Sequence, residues 1–151
     1  MRLTKDRSQL QELARLPLQQ DDVAVLFNTK DYKPKLVELI KSAKRRIYMS
    51  ALYWQNDEAG QQLMHAVYQA KQHTPSLDVK IFVDFHRAQR GLIGAEAELG
   101  NAQFYQQCQQ QYQHPIDIYG VPVKSKELLG VLHLKGFVFD ERFIRMGRFG
   151  S

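Results

Sequence analysis

Apolar residues recur at helical intervals in four stretches of the chain, and strand-like runs lie between them. In residues 9–16, Leu10, Leu13, Ala14 and Leu16 share one helical face. A polar QQDD break then leads into VAVLF at 23–27, a run of β-formers expected as a strand. A second helical pattern begins near Asp31, takes Pro34 into its first turn, and aligns Leu36, Leu39, Ile40 and Ala43. Its end carries Lys41, Lys44, Arg45 and Arg46, cations suited to the negative end of a helix dipole and to a solvated face.

Residues 47–54 (IYMSALYW) read as a strand, and 57–72 return to helical spacing through Ala59, Leu63, Ala66, Val67 and Ala70 before Thr74, Pro75 and Ser76 stop the helix. Residues 77–85 (LDVKIFVDF) form the next strand-like run. Strand, helix, strand, helix, strand predicts a βαβ arrangement, so the fold class is α/β, with a mixed, largely parallel sheet flanked by helices. Residues 87–100 contain Gly91, Gly94 and Gly100 and are expected as a loop beyond a strand's C-terminal end, where open α/β sheets carry their sites. The glutamine-rich stretch 101–113 keeps Phe104, Tyr105, Cys108 and Tyr112 at helical spacing. A short strand at 115–123, a connection at 124–130 and a strand at 131–140 (VLHLKGFVFD) complete the pattern.

Composition narrows the partners. A chain of 151 residues with 44% hydrophobic and 25% charged residues suits one domain with one core. The net charge of +5 favours phosphates, nucleic acid or acidic lipid. Cys108 is the single cysteine, which excludes an internal disulfide framework and offers little for a thiolate zinc site. No apolar run has signal-peptide or membrane-spanning length, so a cytoplasmic protein with peripheral membrane contact at most is expected.

The chemistry concentrates in two places. In 131–140, a period of two puts His133 and Lys135 on one strand face with Phe137 and Phe139, while Leu132, Leu134 and Val138 face the other side. A solvated edge strand would also accommodate the two basic groups, since lysine there discourages unwanted pairing. Asp84, His86, Arg87 and Arg90 lie together at the end of the 77–85 strand. The other histidines read as surface residues: His65 on a helix, His73 at its end, and His114 before a proline. Tyr53 and Trp54 read as core aromatics, and Glu96 and Glu98 as solvated loop residues.

His133, Lys135 and Asp140 spell H-x-K-x-x-x-x-D, which resembles the HKD signature of the phospholipase D superfamily. ALYWQNDEAG (51–60), VDFHRAQRGLIGAE (83–96) and YGVPVKSKELLGVLHLKGFVFD (119–140) extend the resemblance to the amino-terminal part of the Gram-negative bacterial phosphatidylserine synthases. It runs over residues 22–140, with 1–21 as a helical lead and 141–151 as a divergent tail. Within that tail Gly147 falls where the superfamily has glycine, but Arg148 and Gly150 stand in place of a small residue and an asparagine.

The resemblance implies a phospholipase D-like half that moves a phosphatidyl group from CDP-diacylglycerol to L-serine at an anionic phospholipid surface, on the cytoplasmic side of the inner membrane. His133 would attack phosphorus to give a phosphohistidine, Lys135 would bind the phosphoryl oxygens, and Asp140 would orient or electrostatically support the site. His86, Arg87 and Arg90 would help bind the nucleotide or phosphate, and no metal or other cofactor is required. That mechanism uses two HKD motifs, and one is present here. The second would come from a missing C-terminal half or from a second copy in a dimer. Two other readings stay open: a dimeric single-motif phosphodiesterase or nuclease of the same superfamily, and a non-catalytic basic domain that binds anionic lipid or nucleic acid.

Overall fold

The computed structural model describes residues 19–89, 100–122, 132 and 134–145. Five strands form one sheet in the order β3-β2-β1-β4-β5. Strands β1 (Arg46–Ala51), β2 (Asp78–Asp84) and β3 (Asp117–Val121) are parallel neighbours. Strand β4 (Gly136–Phe139) enters antiparallel on the other side of β1, and β5 (Arg142–Arg145) is antiparallel to β4. Four strands therefore share one direction and β4 alone is reversed, which is the mixed, largely parallel sheet expected from the sequence.

The helices are α1 (Thr29–Ser42), α2 (Glu58–His73), the single turn α3 (Phe85–Ala88) and α4 (Asn101–Gln111). Three of them start on a side chain that accepts an otherwise orphaned amide hydrogen: Asn28 from Lys30 at 3.0 Å, Asp57 from Gly60 at 2.8 Å, and Asp84 from Arg87 at 2.9 Å. The Asn28 cap starts α1 two residues before Asp31, so Pro34 falls in the second turn rather than the first. There it cannot donate to the carbonyl four residues back.

Burial alternates along β1 and β2, and Ile47, Met49, Val79, Ile81 and Val83 point into a single core with Leu36, Leu39 and Ile40 of α1. The predicted face of α1 is the one that is buried. On α2 the buried line is Gly60, Met64, Val67 and Tyr68 with Ala66, while Ala59 is exposed and Leu63 and Ala70 are only partly covered. Each such aliphatic side chain contributes about 1.5–3 kcal/mol when fully buried. Helices α2 and α4 meet through Tyr68, whose ring stacks on Tyr112 at 4.4 Å and whose hydroxyl donates to Gln109 Oε1 at 2.6 Å.

Several sequence expectations are corrected. Residues 23–27 are not a strand: they pair with no strand of the sheet, and Val23 and Phe27 are 57% and 90% exposed. β-formers make a strand only where a partner takes up the backbone hydrogen bonds. Among the described residues of the strand expected over 131–140, the ladder runs from Gly136 to Phe139. The strand expected to reach Phe85 ends at Asp84, whose side chain caps α3 instead. Arg142–Arg145, assigned to a divergent tail, is the edge strand β5. The loop expected over 87–100 begins inside a helix, since Arg87 and Ala88 belong to α3, and its residues 90–99 lie outside the described residues, as do the helix expected at 9–16, the connection at 124–130 and residues 146–151.

Candidate functional site

The C-terminal ends of β1 and β2 and the N-terminal approach to β4 meet at one end of the sheet. The β1–β2 ladder extends past its last register pair through the Asp84 amide, which donates to the Leu52 carbonyl at 3.0 Å. On the other side of β1 the register ends at Ser50 opposite Gly136. Lys135 comes just before that pair and is exposed.

Lys135 lines an open pocket of about 370 Å³ whose other walls include Tyr32, Leu36, Trp54, Leu63 and Phe137. Phe137 and Lys135 thus share a side, as the period of two predicted. The pocket is mostly apolar, and two of its lining residues carry a polar atom, the Tyr32 hydroxyl and the Trp54 indole nitrogen, that is buried without a hydrogen-bond partner among the described residues. Burial pushes the Tyr32 phenol up to about 12, so it stays a neutral donor at physiological pH. The Trp54 backbone is fixed from behind: the Tyr105 hydroxyl accepts its amide hydrogen at 2.7 Å and donates to its carbonyl at 2.9 Å.

His86 and Arg87 follow Asp84 in α3, at the same end of the sheet as Lys135. His86 is exposed, with the Phe85 ring edge-on at 5.4 Å, and Arg87 is half-buried. Among the described residues the ion pairs are Lys35 with Glu38, Lys80 with Asp78, and Arg45 and Arg46 with Glu141. Lys135 and Arg87 pair with no carboxylate there, so this end of the sheet keeps positive charge available for an anion.

Asp140 is not brought to that end. It lies beyond the opposite end of β4, in the turn to β5, roughly 15 Å from Lys135 at a strand rise of about 3.3 Å per residue. Its φ is 53°, in the left-handed region that aspartate tolerates better than most residues. Its carboxylate accepts the amides of Lys44 at 2.9 Å and of Arg45 and Arg46 at 2.8 and 3.0 Å. Arg46 Nε returns a bond to the Asp140 carbonyl at 2.9 Å. Burial acts to raise the Asp140 carboxyl, but the three amides and the Arg45 charge outweigh it and hold the group below the usual carboxylate range. Lys44, Arg45 and Arg46, expected as a solvated basic cluster, thus also supply an amide cradle.

His133 and Arg90 lie outside the described residues, as do Glu96 and Glu98. The chain neighbours of His133 are described. The Leu132 amide donates to Asp84 Oδ2 at 3.0 Å, and the Leu134 carbonyl accepts the Ser50 hydroxyl at 3.2 Å. Asp84 is 1% exposed, and the sequence reading gave it no role of its own. The signal was present, because a carboxylate closing an apolar strand run is a helix N-cap pattern. Ser50 had no such signal. The remaining histidines match their surface reading in part: His65 is exposed with its ring nitrogen on the Tyr112 hydroxyl, His73 is exposed, and His114 is half-buried. Trp54 is core, as expected, and also a pocket wall. Among the described residues no group of three or more His, Cys, Asp or Glu could hold a metal ion.

The chain is 45% identical over 153 residues to a CDP-diacylglycerol–serine O-phosphatidyltransferase of Haemophilus influenzae, covering 97% of this chain and 34% of that one. It is 41% identical over 146 residues to the corresponding Escherichia coli protein, with 95% and 32% covered. A crystal structure of the Haemophilus influenzae phosphatidylserine synthase superposes with a TM-score of 0.79 at 44% identity, over 91% of this chain and 30% of that one. The chain therefore spans about a third of the length of the curated relatives it matches. The family model described as cardiolipin synthase, PLD-like domain, matches residues 36–150, and the chain belongs to that phospholipase D-like family.

Proposed function

We propose that this chain carries one half of a phosphatidyltransferase site that moves the phosphatidyl group of CDP-diacylglycerol to L-serine. The observation that carries the reading is Lys135: a cation that pairs with no carboxylate among the described residues, lining an apolar pocket, on a chain that matches phosphatidylserine-forming enzymes along nearly its whole length.

In this reaction a neutral His133 nitrogen attacks phosphorus, the bond from phosphorus to the CMP oxygen breaks, and a phosphatidyl-histidine results. A second histidine, from a further HKD motif on a second copy or on a C-terminal half, protonates CMP as it leaves. The serine hydroxyl then gives up its proton to that histidine and attacks phosphorus, which releases His133 and phosphatidylserine. Lys135 neutralises charge on the phosphoryl oxygens, where it concentrates in the transition state. The pocket beside it suits the apolar part of the lipid, and His86, Arg87 and Arg90 suit the anionic nucleotide. Asp140 serves by holding the far end of β4 to the sheet rather than by touching substrate.

The same reading places the chain on an anionic phospholipid surface, at the cytoplasmic face of the inner membrane. No helix among the described residues is long and apolar enough to cross a membrane. The exposed side chains of Leu134 and Phe85 lie at the site end of the sheet, and with the net charge of +5 they favour a peripheral contact. Co-sedimentation with anionic vesicles should fall at high salt through screening, and salt-independent binding would rule out an electrostatic contact.

The test is serine-dependent CMP release from CDP-diacylglycerol in detergent micelles, with molar mass measured by light scattering. Release by an assembly with two motifs, lost in His133→Ala, is expected. Metal-free hydrolysis of bis(p-nitrophenyl) phosphate with no serine dependence would favour the nuclease reading. A His133→Ala variant that changes neither assay would leave a binding domain.

A further inference from the structure

The backbone leaves the β4 ladder at Gly136, yet the segment just before it is tied to the sheet by two side chains. Asp84 is buried at the end of β2 and divides its carboxylate between two jobs: Oδ1 caps α3 through the Arg87 amide at 2.9 Å, and Oδ2 takes the Leu132 amide at 3.0 Å. Ser50, one strand away near the end of β1, donates to the Leu134 carbonyl at 3.2 Å. The two tethered groups belong to Leu132 and Leu134, and His133 lies between them in the sequence. Burial acts to raise the Asp84 carboxyl, but the amides of Leu132, Arg87 and His86 outweigh it and keep the group ionised, in the form that accepts both amides.

We propose that Asp84 and Ser50 are positioning residues that clasp the chain on either side of His133 and so fix where its imidazole meets phosphorus. Neither touches substrate. The clasp also joins the two candidate clusters of the sequence, because the carboxylate that caps α3 through the Arg87 amide also accepts the Leu132 amide of the HKD segment. A shift of about 1 Å in a reacting group costs about 10²-fold in rate.

The clasp rests on His133 being the nucleophile, so it is tested by one activity readout and one that needs no turnover. In Asp84→Asn one carbonyl oxygen remains but the second acceptor is replaced by an NH₂ group, which cannot accept an amide hydrogen. The expected result in the full chain is a fall of about 10²-fold in kcat for bis(p-nitrophenyl) phosphate with KM little changed. Amide hydrogen exchange at Leu132, read by NMR, should become faster. Ser50→Ala should lower kcat in the same manner, and Ser50→Thr, which keeps the hydroxyl, should restore it.

If wild type shows no turnover but its Leu132 amide is protected and loses protection in Asp84→Asn, the clasp stands and the phosphotransfer reading fails. If Asp84→Asn is folded with wild-type kcat and unchanged exchange at Leu132, the clasp is wrong. If Asp84→Asn does not fold, the Ser50 pair decides: equal kcat in Ser50→Ala and Ser50→Thr overturns the proposal.

Discussion

Lys135 and Asp140 stand at opposite ends of β4, one facing an open pocket and the other holding three backbone amides of the segment that leads into β1. Two residues of one signature are thus separated in task, and their variants should separate too. Lys135→Met should abolish phosphodiester turnover and change unfolding free energy by no more than about 0.5 kcal/mol, as for an exposed side chain. Asp140→Ala should cost about 3 kcal/mol in urea unfolding, since charge-assisted bonds to amides are lost and a left-handed residue is left without its anchor. An Asp140→Ala protein as stable as wild type would sink the structural assignment.

Acid should expose the same cradle. The Asp84 and Asp140 carboxyls both sit below their ordinary value when folded, so the unfolded chain binds more protons between the folded pKa and about 3.9. Their stabilisation is fully present above the unfolded value and is lost as pH falls through the folded pKa. Urea midpoints measured from about pH 6 down to pH 2 should fall most steeply below about pH 4. Asp140→Asn should flatten that fall while lowering the plateau above it.

Gly60 of α2 packs against the chain that leads into the helix. A Cβ there would lie 2.0 Å from the Gln55 carbonyl oxygen, a backbone atom that cannot swing aside. Gly60→Ala should therefore destabilise by about 1–3 kcal/mol despite alanine's higher helix propensity. A thermal melt no lower than wild type would show that the 55–60 segment shifts freely.

The Tyr105 hydroxyl is both donor and acceptor to the Trp54 backbone, in a buried setting. Tyr105→Phe leaves the amide and the carbonyl unpaired and should cost about 1–3 kcal/mol. Trp54 is the single tryptophan, so intrinsic fluorescence reports both the unfolding and any loosening of the pocket wall. An unchanged emission spectrum and an unchanged midpoint would refute this role for the hydroxyl.

Periodicity revealed the elements that bury a face. The Leu36, Leu39, Ile40 and Ala43 face and the alternation in β1 and β2 were legible because burial imposes a repeat on the sequence. VAVLF at 23–27 misled because propensity describes a residue's preference and carries no information about whether a sheet edge is there to receive it. RFIR at 142–145 was overlooked for the converse reason: a four-residue edge strand with arginine at both ends has almost no apolar repeat. The H-x-K-x-x-x-x-D spacing runs along β4 and its approach, and its aspartate is a turn residue beyond the strand. Spacing along a strand fixes the face a side chain takes and says nothing about which end of the sheet it reaches.

Because β4 is inserted next to β1, the centre of the sheet is closed by chain made much later. The hydrogen bonds that seal it join residues 84 to 96 positions apart. During synthesis β1 can pair with β2 while its other edge still faces water, and Ile47 and Met49 lose their neighbours Phe139 and Phe137 until β4 emerges. The nascent domain therefore passes through a stage with an open, apolar strand edge, which is the species a holdase would recognise and the one most prone to self-association. Closure of that edge and delivery of Lys135 are a single event, so the unfinished sheet lacks the site.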